Sequence, residues 1–208
     1  MSVRNSLLVN NGGITGQTNP LAEGMVKGSG TFGAVNIAAG GTFSPGNSSG
    51  TATVNGTMTW GTHGFYDFEI NDAAGTAGGN PGWDLTNLTG PDGMLNITAT
   101  SASQFHINVV SGDLSSPAAA NFNPSLSYQW LMMQTSTGIS GFDPSVFTFD
   151  RSDFLNTAGG QFSLATVGND VYLDYSPVSV PEPATYGVLA GIALLRIGIG
   201  GRMRREAA

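Results

Sequence analysis

The chain has 208 residues, enough for one domain and a tail, and none of them is cysteine, which excludes disulfides and any thiol-based site. Residues 1–180 hold 12 acidic groups against three basic ones (Arg4, Lys27 and Arg151), a balance that repels phosphate backbones and excludes nucleic acid as a partner. Glycine fills 31 positions without the every-third spacing of collagen, while 11 Phe, five Tyr and three Trp supply a real core. Many short strands joined by Gly/Asn turns are therefore expected, an all-β chain.

In chain order, Met1 to Asn10 contains only three consecutive apolar residues, Leu7, Leu8 and Val9, too few for the apolar region of a secretory signal. Met1 is accordingly not expected to be the natural start, and the chain reads as the distal piece of a longer exported protein. Residues 1–62 read as coils of a right-handed parallel β-helix, or solenoid. Val9-Asn10, Val35-Asn36 and Val54-Asn55 each begin a segment with a following glycine, at spacings of 26 and 19 residues, the size of one coil. Val35/Ile37 and Ala52/Val54 point one way and Asn36, Thr53 and Asn55 the other, so stacked Asn and Thr ladders are expected. A β-helix cut open exposes a raw strand edge, which predicts poor solubility.

Gly40-Gly41-Thr42-Phe43-Ser44-Pro45-Gly46-Asn47-Ser48-Ser49-Gly50-Thr51-Ala52-Thr53-Val54-Asn55-Gly56 resembles the autotransporter-associated β-strand repeat of large bacterial surface proteins. The resemblance implies a β-helical stalk without an enzymatic role.

Residues 63–176 are expected to form a β-sheet cap or to continue the β-helix. Tyr66/Phe68/Ile70 share one face and Phe65/Asp67/Glu69 the other. Leu95/Ile97, Phe105/Ile107/Val109, Val146 with Thr148, Phe162/Leu164 and Val171/Leu173/Tyr175 continue the alternation. Gly168-Asn169-Asp170 predicts a hairpin turn between the last two. Residues 177–180 read as an extended linker.

Residues 181–208 reverse the charge, with four arginines against Glu182 and Glu206. Positions 184–195 carry no charge and read as an apolar helix, but at 1.5 Å per residue they reach only about 18 Å. Continuing through Arg196 to residue 201 gives about 27 Å, enough for a transmembrane helix if Arg196 snorkels toward the headgroups. Arg202, Arg204 and Arg205 then anchor the basic end in the cytoplasm and put residues 1–180 across the inner membrane. Val180-Pro181-Glu182-Pro183, the apolar segment and the terminal arginines, in that order, resemble the PEP-CTERM sorting signal of Gram-negative-type bacteria. Membership implies that exosortase, a membrane transpeptidase, recognises the Pro-Glu-Pro region, removes the helix and releases the body to the envelope or exterior. Arg196 departs from that pattern, in which the segment is uncharged.

Chemistry is scarce in the body. Asp67 and Glu69 are two apart on a strand, about 7 Å between carboxylates, a separation used by inverting glycosidases. With no basic group in the local sequence, they read as a solvated strand face. Asn71, Asp72, Asn80, Asp84 and Asn87 offer oxygen ligands in a Gly-rich loop, but their spacing matches no calcium loop and fits turn-forming residues. His63 sits beside a turn, and His106 alternates with an apolar face and points to solvent; neither has a sequence partner for a metal. Trp60, Trp83 and Trp130 are core residues or, alternatively, stacking platforms for sugar. No catalytic residue, metal or cofactor is expected. The sequence thus reads as a non-enzymatic surface or extracellular-matrix scaffold with exosortase as its processing partner and extracellular polysaccharide as a candidate ligand. The alternative is an envelope-anchored carbohydrate-binding or carbohydrate-cleaving β-helix module.

Overall fold

The alternation of large apolar and polar residues makes the described part of the chain all-β. The computed structural model describes residues 1–112 and 117–178, and Met1–Pro177 fall in one unit. Among the described residues the helical element is a single 3-10 turn, Pro144–Val146. In Phe65–Ile70, Tyr66, Phe68 and Ile70 are fully buried while Phe65, Asp67 and Glu69 are half-buried on the opposite face. Phe105–Ser111 repeats the pattern, burying Phe105, Ile107 and Val109 and turning His106 outward. A period of two is what a strand buried on one face requires.

The strands gather in three main sheets, built mostly by parallel pairing. The first sheet lays Leu7–Val9, Met25–Gly28, Thr42–Pro45, Phe65–Ile70, Phe105–Ser111 and Phe147–Asp150 side by side in chain order. The second does the same with Thr31–Phe32, Thr51–Asn55, Leu85–Thr89 and Tyr128–Thr135. The third takes Val35–Ile37, Met58–Trp60, Met94–Ile97 and Gly138–Ser140. From Met25 onward the chain visits first, second and third sheet in fixed rotation.

The register gives the true repeat. Leu7 aligns with Met25, Met25 with Thr42 and Thr42 with Phe65, advances of 18, 17 and 23 residues. Phe65 then aligns with His106 and Phe105 with Phe147, advances of 41 and 42. The expected phasing on Val9, Val35 and Val54 is therefore corrected, because these three valines belong to the first, third and second sheets. A Val-Asn pair suits any strand that alternates, so it recurs without marking equivalent positions. The equivalent segments are Gly24-Met25-Val26-Lys27, Gly41-Thr42-Phe43-Ser44 and Gly64-Phe65-Tyr66-Asp67. Each glycine precedes a first-sheet strand, and at Gly24 and Gly41 the neighbouring backbone nearly touches it. A Cβ on Gly24 would lie 2.0 Å from the Val3 carbonyl oxygen, and one on Gly41 would lie 2.0 Å from that of Pro20. Only the absence of a side chain permits that approach.

Inward-facing residues align into columns. Leu8, Val26, Phe43, Tyr66, Ile107 and Phe149 form one, and Val35, Met58, Leu95 and Ile139 another. Trp60 is fully buried at the centre, stacked on Phe105 at 4.7 Å and packed edge-on to Phe147 at 5.9 Å. On the third sheet's other face Asn36, Thr59, Asn96 and Ser140 stand in register.

The two ends of the sheets differ. Leu7–Val9 is the outermost strand of the first sheet, and its Leu7 and Val9 are exposed. At the other end Gln161–Val167 and Asp170–Ser176 form the expected hairpin, turning through Gly168-Asn169 with Gly168 at φ +60°, and Asp170–Ser176 pairs antiparallel with Tyr128–Thr135. An aromatic cluster of Phe122, Tyr128, Trp130, Phe154, Phe162 and Tyr175 packs there. The pairing of Val146 with Thr148 on one strand face is corrected. Val146 belongs to the 3-10 turn capped by Asp143, and Phe147 is the residue that turns inward, in register with Phe105.

Candidate functional site

The sequence-predicted sorting residues, Val180, Pro181, Glu182, Pro183, Arg202, Arg204 and Arg205, lie outside the described residues, as does the apolar segment 184–201. Among the described residues no helix is long and apolar enough to cross a membrane.

Within the body, polar side chains concentrate where Phe65–Ile70 meets the Ser44–Gly50 turn. Strand alternation turns Glu69 outward, against that turn. Its Oε1 accepts from the Ser48 hydroxyl at 3.0 Å and from the Ser49 backbone N–H at 3.2 Å. The Asn71 amide donates to both serine hydroxyls, at 2.8 and 3.1 Å, and the Ser49 hydroxyl donates onward to the Gly79 carbonyl at 2.9 Å. Asp84, fully buried between the short strand Gly82–Trp83 and Leu85–Thr89, accepts the Gly50 N–H on Oδ1 and the Glu69 N–H on Oδ2, both at 3.0 Å. The Asp84 N–H returns a bond to the Glu69 carbonyl at 2.9 Å.

Burial pushes the Asp84 carboxyl well above its ordinary value, against the two backbone N–H groups that favour its charged form. Asp67, one row along, is raised for the same reason, while the Asn108 amide at 2.8 Å and the Lys27 ammonium pull it back. The expectation of a solvated carboxylate face is thus corrected. Asp67 and Glu69 are half-buried acceptors, and Lys27, two strands away, supplies the positive charge that the local sequence lacks. Glu69 Oε1 and both Asp84 oxygens accept from backbone and hydroxyl donors, so this arrangement fastens a turn to two strands.

The oxygen-rich loop disperses. Asp72 accepts the Asn121 amide at 2.9 and 3.0 Å, Asp84 is sealed in the core, and Asn87 lies within a strand in register with Thr53 and Gln134. Among the described residues no group of three His, Cys, Asp or Glu could hold a metal ion. Trp60 and Trp130 are buried, and Trp130 donates its indole N–H to the Ala73 carbonyl at 3.1 Å, so neither can stack on a sugar. Trp83 is half-buried, its indole N–H bound to the Leu131 carbonyl at 3.0 Å.

Sequence reasoning missed one juxtaposition. His63 and His106, the chain's two histidines, lie with ring centres 6.4 Å apart, and His106 stacks on Phe65 at 4.5 Å. Burial, reinforced by the neighbouring His63, holds His106 below the ordinary histidine value. Phe65 aligns with His106 in the parallel register across an advance of 41 residues, so no local sequence signal marks the pair.

No protein-family model matches this chain, and no curated protein matches it.

Proposed function

We propose that the chain is a non-enzymatic bacterial cell-surface or extracellular-matrix scaffold, delivered through a PEP-CTERM signal at residues 181–208. The observation that carries this reading is the order of three features at one end of the sequence: Val180-Pro181-Glu182-Pro183, the apolar stretch 184–201, and Arg202, Arg204 and Arg205. The apolar stretch acts as a transient inner-membrane anchor with the arginines in the cytoplasm. Exosortase cuts at the Pro-Glu-Pro region and frees the body at the cell surface. The body is a right-handed parallel β-helix with a β-sheet cap. The fixed rotation of the chain through three parallel-paired sheets supports it, as does the antiparallel hairpin beside Tyr128–Thr135. The scaffold role is supported by the use of carboxylates as structural acceptors, notably Asp84 and Glu69.

The test is expression of the chain behind a signal peptide in an exosortase-bearing host and in its exosortase knockout. The expected result is a product shortened at its C-terminus and found outside the inner membrane only where exosortase is present, read by intact-mass spectrometry and fractionation. Identical mass and location in both hosts would refute the sorting claim.

A further inference from the structure

We propose that His63 and His106 form a two-ligand surface site for a divalent transition-metal ion of the copper, nickel or zinc class, borne on the outer side of the first sheet. The site does not depend on the sorting function and lies apart from the carboxylates that hold the Ser44–Gly50 turn.

The first support is convergence. The two histidines stand 43 positions apart in the sequence, yet their ring centres meet at 6.4 Å with planes inclined by 32°. An ion about 2.1 Å from an imidazole nitrogen sits about 3.2 Å from that ring's centre, so an ion shared by two rings holds their centres about 5 Å apart at a tetrahedral angle and about 6.4 Å apart when they are opposed. The observed separation matches the opposed arrangement, with the ion between the two rings.

The second support is rigidity of the backbone beneath each ring. His63 adopts a left-handed conformation at φ +56°, its N–H donating to the Gln104 carbonyl at 3.0 Å and its carbonyl accepting from the Gly40 N–H at 2.8 Å. His106 is set in a six-residue parallel register with Phe65–Ile70, and its N–H donates to the Gly64 carbonyl at 2.9 Å. Phe65, stacked at 4.5 Å with ring planes 19° apart, fixes the plane of His106. Two ligands held in place lose little freedom on binding, which is what makes a pair of imidazoles a chelate.

The third is chemistry. Neutral imidazole is the preferred nitrogen ligand for these ions. Asp150, whose charge reaches His106, has its Oδ1 engaged by the Ser152 N–H at 2.8 Å. With no third His, Cys, Asp or Glu completing a group among the described residues, the ion's other positions go to water or to a ligand it recruits. Because His63 sits on the turn entering one first-sheet strand and His106 on the next strand of that sheet, the ion also ties successive passes of the chain together.

The experiment titrates the full 208-residue chain, held in mild detergent, with copper(II) and nickel(II) sulfate by calorimetry and records the copper spectrum by electron paramagnetic resonance. One ion per chain is expected, with hyperfine splitting from two imidazole nitrogens. His106→Ala and His63→Asn, the latter keeping a residue that tolerates left-handed backbone, should each weaken binding about tenfold or more and remove one nitrogen from the spectrum. Both side chains are partly or fully exposed, so both variants should melt at the wild-type temperature without metal. Wild-type affinity retained in the double variant, or a copper spectrum lacking the second imidazole, would overturn the site.

Discussion

Replacing Asp84 by alanine tests whether the carboxylate is a structural fastener. The substitution strips an acceptor from two backbone N–H groups at once, those of Gly50 and Glu69, each bonded at 3.0 Å. A donor left unsatisfied in a partly buried place costs about 1–3 kcal/mol. Loss of a small carboxyl group leaves a void worth less than about 1 kcal/mol at roughly 24 cal/mol per Å³. Against these stands relief from desolvating a buried carboxyl, which raises the Asp84 pKa in the intact chain and offsets part of the loss. The net expectation is about 2–4 kcal/mol of destabilisation, a large share of the roughly 5–15 kcal/mol available to a domain. Urea unfolding followed by the fluorescence of buried Trp60 and Trp130 measures it. Glu69→Gln is the control: its amide oxygen still accepts from Ser48 and the Ser49 N–H, so it should cost about 1 kcal/mol or less. An Asp84→Ala midpoint within about 0.5 kcal/mol of wild type, at unchanged slope, would refute the reasoning.

Stability should also depend on pH with a definite sign. Asp84 and Asp67 have folded-state pKa values above the ordinary carboxylate value, so above about pH 4 the folded chain retains protons that the unfolded chain has released, and stability falls as pH rises through that window. Asp143 and Asp150, lowered by the Ser145 and Ser152 N–H bonds, act oppositely and lose their contribution as pH falls below about 4. A melting-temperature profile with its maximum near pH 4–5 is therefore expected, its alkaline slope flattened in Asp84→Asn; a steady rise from pH 4 to 7 would contradict it. Gly41→Ala should destabilise by about 2 kcal/mol or more, because the new Cβ meets the Pro20 carbonyl oxygen at 2.0 Å, and denaturant unfolding would show it. Trp60→Ala should cost about 3–5 kcal/mol by the same assay, since it removes a fully buried ring stacked on Phe105 and packed against Tyr66 and Phe147.

What the sequence made legible and what it hid divide along one physical line. Alternation is a local property with a period of two, so the buried faces of Phe65–Ile70, Phe105–Ser111 and Asp170–Ser176 and the turn at Gly168-Asn169 were all readable from neighbouring residues. Register is not local. Which strand lies beside which depends on how many residues each pass takes, and that register advance ranges from 17 to 42 along the first sheet. The shared Val-Asn pairs therefore bring Val9, Val35 and Val54 into a false alignment, while Gly24, Gly41 and Gly64 stand at equivalent places before first-sheet strands. Every misreading of the candidate site follows from that lost register. Lys27 acts on Asp67 across two strands, the Gly50 and Glu69 N–H groups converge on Asp84, and His63 comes beside His106, all through separations no local window spans. The same argument explains why the proposed sorting signal rests on the tail's sequence alone. Its three parts are contiguous, and their meaning lies in sequence order alone. In the body the folded register decides which polar groups meet, and the side chains that looked solvated in a strand of six residues are the ones holding successive passes together.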